Sequence, residues 1–422
     1  MFQLPAKGVI IAVLTAAVAV FGYLAWSENR SFSPTPQPVP LPDLEDQDTF
    51  SSVSTANNTF GLDLYSEYRA EQGNLFFSPY SISSALAMTY EGAAGETADE
   101  MRTVLRLTED TEQVREGFSQ INNRLNKEDK SYDLTTANSL WGQEDYPFAE
   151  DYLATVEEYY GGKLTNLDFK NNTEEARKTI NLWVESKTED RIKNLISKGV
   201  LNSLTRLVLT NAIYFKSDWE NQFDSKKTEE AEFTLNSGET VSVEMMHKTA
   251  KFNFAEDEVV KVLEMPYEDG ELSMLVVLPK ENDLSAVEKF LTRDKFDDWL
   301  DNLKQEEVVV TFPKFKYETK YQMANTLESM GMVRAFDAEK ADFSGLTGGE
   351  NDLFIDKVIH QTFIEVDEAG TEAAAATAVT MMTTSLPEEE PKIFEADHPF
   401  VFLIKDNQTD TILFLGRMSN PS

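Results

Sequence analysis

Apolar residues in the second half of the chain gather into short dense runs at 207–215, 259–265, 272–278 and 308–312. Each run has strand length and is bounded by polar or turn-forming residues, which predicts β-strands. Two further runs, 400–404 and 411–415, are separated by the turn sequence Asp406-Asn407-Gln408 and predict a strand pair. Strands this apolar imply large sheets buried on at least one face. Helical spacing appears elsewhere. Residues 81–91 open with Ser81-Ile82-Ser83-Ser84-Ala85-Leu86-Ala87-Met88 behind Pro79 and predict a helix. Residues 173–188 place Ile180, Trp183 and Val184 on one helical face, with Thr173 as the expected cap and Glu175 close behind. No internal repeat is visible. The class is α+β, a single large domain over 50–422.

Ahead of that domain the pattern changes twice. Residues 8–26, from Gly8 to Trp26, carry no charge and are long enough to cross a bilayer as a helix. Lys7 precedes them, while Glu28, Asp43, Glu45, Asp46 and Asp48 follow, so residues 1–7 are expected to stay in the cytoplasm and the rest to be exported. Ala25-Trp26-Ser27 also suits a signal peptidase, so a membrane anchor and a cleaved signal peptide both fit. Either places the domain outside the cytoplasm, extracellular, periplasmic or on the cell surface. Residues 27–49 are an acidic, proline-rich linker, with Pro34, Pro36, Pro38, Pro40 and Pro42 favouring an extended polyproline spacer.

Charge and composition narrow the chemistry. The 422 residues carry 38 Lys and Arg against 74 Asp and Glu, a net charge of −36. Such a surface repels a phosphate backbone, so no nucleic-acid partner is expected. It is a solvated surface first, and a steering surface toward basic partners second. With no cysteine, disulfides, thiolate zinc sites and cysteine nucleophiles are excluded. No G-x-S-x-G elbow occurs, and the three histidines, His247, His360 and His398, do not form H-E-x-x-H. Gly345-Leu346-Thr347-Gly348-Gly349 lacks the Lys-Ser/Thr ending of a phosphate loop. No catalytic residues, metal site or cofactor are expected, and the chain reads as a non-enzyme.

Four segments resemble one family. Phe394-Glu395-Ala396-Asp397-His398-Pro399-Phe400-Val401-Phe402-Leu403-Ile404 is similar to the serpin signature at every defined position. Asn74-Leu75-Phe76-Phe77-Ser78-Pro79-Tyr80-Ser81-Ile82 resembles the serpin strand leading into a buried helix. Leu209-Thr210-Asn211-Ala212-Ile213-Tyr214-Phe215-Lys216-Ser217-Asp218-Trp219 resembles a central strand of the large sheet. Lys357-Val358-Ile359-His360 resembles the strand that feeds the reactive loop. The resemblance implies a metastable fold with an exposed reactive loop, about 368–392. A serine protease cleaves that loop and is trapped as a covalent acyl-enzyme while the loop inserts into the sheet. A cysteine protease is a second target class, and the inhibitor is expected to be a monomer.

The resemblance also assigns residues. The hinge comprises Glu368, Gly370, Thr371, Ala373, Ala374, Ala375, Ala376 and Thr377. For insertion, alternate residues face the sheet interior, and the set Thr371, Ala373, Ala375, Thr377, Val379, Met381 carries no charge. Gly370 is expected to supply backbone freedom there. Family spacing counted from Glu368 puts the scissile bond at Thr384–Ser385. Counting back from Pro399 gives a bond near Pro387-Glu388, with Met382-Thr383 a further alternative. A gate of polar residues, Ser78, Ser81, Asn211 and His360, is implied beneath the sheet, and Trp219 matches the tryptophan where the loop first enters. No Lys or Arg occurs from Thr371 to Pro391, which points to elastase-like or subtilisin-like targets rather than trypsin-like ones. A non-inhibitory serpin and a tethered binding module are the rival functions.

Overall fold

The apolar runs build two sheets. The computed structural model describes residues 47–349, 353–371 and 390–422. In chain order the strands are β1 (Leu75–Phe77), β2 (Asp133–Gln143), β3 (Lys163–Leu167), β4 (Leu207–Asp218), β5 (Glu229–Thr234), β6 (Thr240–Glu256), β7 (Val260–Pro266), β8 (Leu272–Pro279), β9 (Lys304–Pro313), β10 (Phe315–Gln322), β11 (Lys357–Val366), β12 (Gly370–Thr371), β13 (Lys392–Glu395), β14 (Phe400–Asp406) and β15 (Ile412–Met418). One sheet has the order β1-β15-β14-β8-β7-β6-β9-β13, with β5 paired to β6. The other has the order β10-β11-β12-β4-β2-β3, and β11 also pairs directly with β4.

Burial explains the apolar runs. On β4, Leu207, Leu209, Ile213 and Phe215 face the main core, whereas Val208 and Ala212 face a second cluster. A strand covered on both faces has no reason to alternate with polar residues. The second cluster is the packing of the helix Phe169–Lys187 and the chain after it onto the smaller sheet, through Phe169, Ile180, Val184, Ile192 and Leu195. The main core lies between the sheets and holds the helix Pro79–Tyr90, which is buried along nearly its whole length, its serines and Thr89 included.

Two helix starts differ from the sequence reading. The first helix begins at Pro79 with Ser78 as cap, its Oγ accepting from the Ser81 N–H. The second begins at Phe169, not Thr173. Asp168 caps it by accepting from the Asn171 N–H, and Thr173 sits inside the helix with its hydroxyl donating to the Phe169 carbonyl. Burial of Phe169 pulls these extra residues into the helix; Asn172, at φ −129°, marks the kink this leaves. The domain itself opens with the helix Gln47–Tyr68, three residues ahead of the expected start. The tail, the segment 8–26 and nearly all of the linker lie outside the described residues. Among the described residues no helix is long and apolar enough to cross a membrane.

Candidate functional site

The distinctive feature of the smaller sheet is the seam between β4 and β11. These strands run parallel and pair from Lys357↔Val208 to Thr362↔Ile213. Beyond that point the two-residue strand β12 lies between them, antiparallel to both, with Thr371 opposite Val366 on one side and Ser217 on the other. The seam is thus closed over its lower half and occupied by the start of the predicted loop at its upper end.

Polar side chains bridge the closed half from below. His360 and Asn211 are register partners across the seam, and Asn211 is the register partner of Asn138 on β2. The Ser78 backbone N–H donates to His360 Nε2 at 3.0 Å, so the ring proton sits on Nδ1 and donates to Asn211 Oδ1. Asn211 Nδ2 donates to Ser81 Oγ at 2.6 Å and to Asn138 Oδ1, and Ser81 Oγ donates to Asn138 Oδ1 at 2.9 Å. Ser78 Oγ donates to the Leu413 carbonyl of β15, which ties the network to the larger sheet. Complete burial pushes the His360 pKa down to about 3 against the lesser pull of the Asn211 bond, so the ring is neutral at physiological pH. All four residues assigned from the resemblance come together here. Asn138 was not among them. Its strand, Asp133-Leu134-Thr135-Thr136-Ala137-Asn138-Ser139, is too polar to stand out as an apolar run, and only a neighbour across the sheet identifies it.

The upper end of the seam is a tight turn. Asp367 Oδ1 accepts from the N–H groups of Ala369 and Gly370, and the Asp367 N–H donates to the Gly370 carbonyl. Trp219, just past β4, donates its N–H to the Ala369 carbonyl and its indole N–H to the Asp367 carbonyl. Its ring stacks on Tyr267, centroids 4.6 Å apart, and the Tyr267 hydroxyl shares a 2.7 Å hydrogen bond with Thr371 Oγ1. Glu368 accepts from the Thr228 hydroxyl at 2.7 Å and pairs with Lys314 at 3.1 Å. Burial would raise the Glu368 pKa, but these hydrogen bonds and the Lys314 charge outweigh it and hold the carboxyl below its ordinary value. Gly370 is needed for a reason other than the expected backbone freedom. A Cβ there would lie 2.1 Å from the Ser217 carbonyl oxygen, so close approach to β4 excludes any side chain. Ala373, Ala374, Ala375, Ala376, Thr377, Thr384 and Ser385 lie outside the described residues.

Downstream of the loop, β13 pairs parallel to β9, from Lys392↔Val308 to Glu395↔Thr311. Phe394, Ala396 and Phe400 are fully buried, which accounts for the apolar positions of the segment around Asp397-His398-Pro399. Among the described residues no group of His, Asp and Glu is placed to hold a metal ion.

Comparison with known proteins agrees with this geometry. A family model described as Serpin (serine protease inhibitor) matches residues 55–421. An uncharacterised serpin-like protein of Thermococcus kodakarensis is 47% identical over 371 residues, covering 87% of this chain and 86% of its own length. Leukocyte elastase inhibitor A of Mus musculus is 43% identical over 381 residues, covering 87% of this chain and 99% of its own. The crystal structure of Serpin48 from Tenebrio molitor superposes with a TM-score of 0.80 at 34% identity, covering 90% of this chain and 100% of that one. The chain belongs to the serpin family, and its fold is the serpin fold.

Proposed function

We propose that this serpin is a suicide-substrate inhibitor of serine proteases rather than an enzyme. The observation that carries the reading is the seam, closed below by exchangeable side-chain hydrogen bonds and already holding Gly370 and Thr371 above. If the β12 register continues along β4 and β11, Thr377 arrives opposite both Asn211 and His360, and Met381 arrives opposite Leu207 at the start of β4. The core-facing partners of β4 are then Thr371, Ala373, Ala375, Thr377, Val379 and Met381, the uncharged set. Insertion must break the His360–Asn211 bond, and the Thr377 hydroxyl, both donor and acceptor, is suited to take its place.

The chemistry preceding insertion is ordinary acyl transfer. The protease serine oxygen attacks the Thr384 carbonyl carbon, the bond to the Ser385 nitrogen breaks, and that nitrogen leaves as an amine carrying the transferred proton. An ester between protease and Thr384 remains. Insertion to Met381 leaves only Met382, Thr383 and Thr384 to reach it, so the protease is drawn to the far end of the sheet. The leukocyte elastase inhibitors among the relatives, together with a loop lacking Lys and Arg, favour an elastase-like or subtilisin-like target. In this reading the domain works outside the cytoplasm, on the stalk of residues 27–49.

The test is to mix the full chain with elastase-, subtilisin-, chymotrypsin- and trypsin-like proteases and run denaturing gels. A gel-stable covalent band with the first or second, and a released peptide whose mass begins at Ser385, are expected. Clean cleavage that leaves every protease active would show a serpin fold used for another purpose.

A further inference from the structure

The turn between β13 and β14 holds a histidine in an unusual setting. His398 Nδ1 lies 2.7 Å from Asp397 Oδ1, and Nε2 lies 2.7 Å from the Pro279 carbonyl at the end of β8. An ionised carboxylate and a peptide carbonyl can only accept, and a neutral imidazole has a single N–H, so both contacts together require the imidazolium. Burial would lower the pKa of the ring, but its bonds to Asp397 and Pro279 outweigh that and hold it above the ordinary value. The bond from His398 keeps the Asp397 carboxyl below its own ordinary value. Lys261 of β7 is the opposing charge near the ring, and the Thr234 N–H of β5 donates to the Asp397 carbonyl.

This small cluster sits at a sheet edge, where the chain is also held by the Ala396 N–H donating to the Thr311 carbonyl and by the buried Phe394 and Phe400. β13 has four residues and is an edge strand, paired on one side to β9. It is also the first strand after the reactive loop. We propose that His398 is a positioning residue for the downstream leg of that loop, bridging Asp397 of the β13–β14 turn to the end of β8 through both ring nitrogens only while both carry protons. Once one proton is lost, a bare nitrogen faces an acceptor at 2.7 Å, so one of the two bonds is lost and the hold on the turn weakens. The sign follows from a raised folded pKa. The clamp is complete below the ordinary histidine value of about 6.5 and is lost as pH rises through the folded value. The inference concerns the uncleaved protein and stands apart from the trapping reaction.

The test uses the full chain. Histidine NMR follows the ring, assigned with His398→Gln, and hydrogen exchange read by mass spectrometry follows residues 390–400 from about pH 5.5 to about 9, each point corrected for the intrinsic rate. Expected for the wild type is protection that is level at low pH and falls as the ring titrates, about tenfold for each unit by which its pKa exceeds the ordinary value. His398→Arg, a permanent cation, should stay level across the range, and His398→Gln should be weakly protected throughout. A ring that titrates at or below its ordinary value overturns the proposal. So does wild-type protection indifferent to pH, or His398→Arg falling in parallel with the wild type. If His398→Gln does not fold, the wild type against His398→Arg decides alone.

Discussion

β14 and β4 are both central strands, buried over all or nearly all of their length, yet they are held in opposite ways. β14 is hydrogen-bonded on both sides, to β8 and β15, and Phe400 through Ile404 have no solvent exposure. Phe402 stacks on Phe76 at 5.7 Å and packs against Phe315 at 5.6 Å. β4 has one edge sealed by β2, but its other edge meets β11 across a seam bridged by Asn211, His360 and the serines below. Apolar interdigitation cannot be exchanged for anything equivalent without a cavity. A hydrogen bond can be handed to a new partner of matching polarity at little net cost. Within one core, the first kind of strand is fixed by packing, and the second is joined to its neighbour by bonds that can be exchanged.

The comparison can be broken most severely on the apolar side. Phe402→Ala should cost about 3–5 kcal/mol, read as a large fall in Tm, because the cavity left between Phe76 and Phe315 cannot collapse. On the polar side the expected effects are smaller and depend on pH. His360 is neutral in the folded state, with its pKa depressed to about 3, whereas the unfolded ring titrates at its ordinary value. Its contribution is therefore full above about 6.5 and declines progressively as pH falls toward about 3. Hydrogen exchange at Thr210 through Ile213 should accelerate over that range more than exchange in β14. His360→Gln should remove the pH dependence. Equal acceleration of both strands would mean that the seam is no weaker than the rest.

The smallest effect is expected at the top of the seam. Glu368 has a depressed pKa, so its anchorage to Thr228 and Lys314 is present above its ordinary value and lost as pH falls through the folded one. Glu368→Gln should cost about 0.5–1 kcal/mol in local protection of Ala369 to Thr371 near neutrality, with little change in global Tm. A global loss instead would place the turn in the folding core.

The sequence made β14 and β4 legible for the same reason: strands covered on both faces announce themselves as dense apolar runs, broken in β4 only at Thr210 and Asn211 before Lys216. It concealed β2, β6 and β10, whose half-exposed faces interleave Thr, Lys and Glu with the buried positions. Ser78, Ser81, Asn211 and His360 could be assigned to one polar network only because they stand inside motifs; Asn138, bonded into the same network, stands in no motif. Thr173 was a sound cap by local rules but lost to Asp168, since burying Phe169 outweighs where a helix would otherwise start. Gly370 was expected to supply backbone freedom, and the structure gives it a different requirement. Its requirement is a distance to Ser217, a residue far away in sequence.

The parallel junction between β4 and β11 has one further consequence. A strand that enters it antiparallel replaces one ladder with two, so the sheet ends with more backbone pairing than it began with, and in the slightly more stable orientation. The gain comes from peptide groups, which every residue carries. Side chains of such a strand need only be small enough and uncharged enough not to oppose it, and a run of alanines meets that condition. An order of strands that keeps one parallel ladder where two antiparallel ones would fit has backbone pairing left to gain.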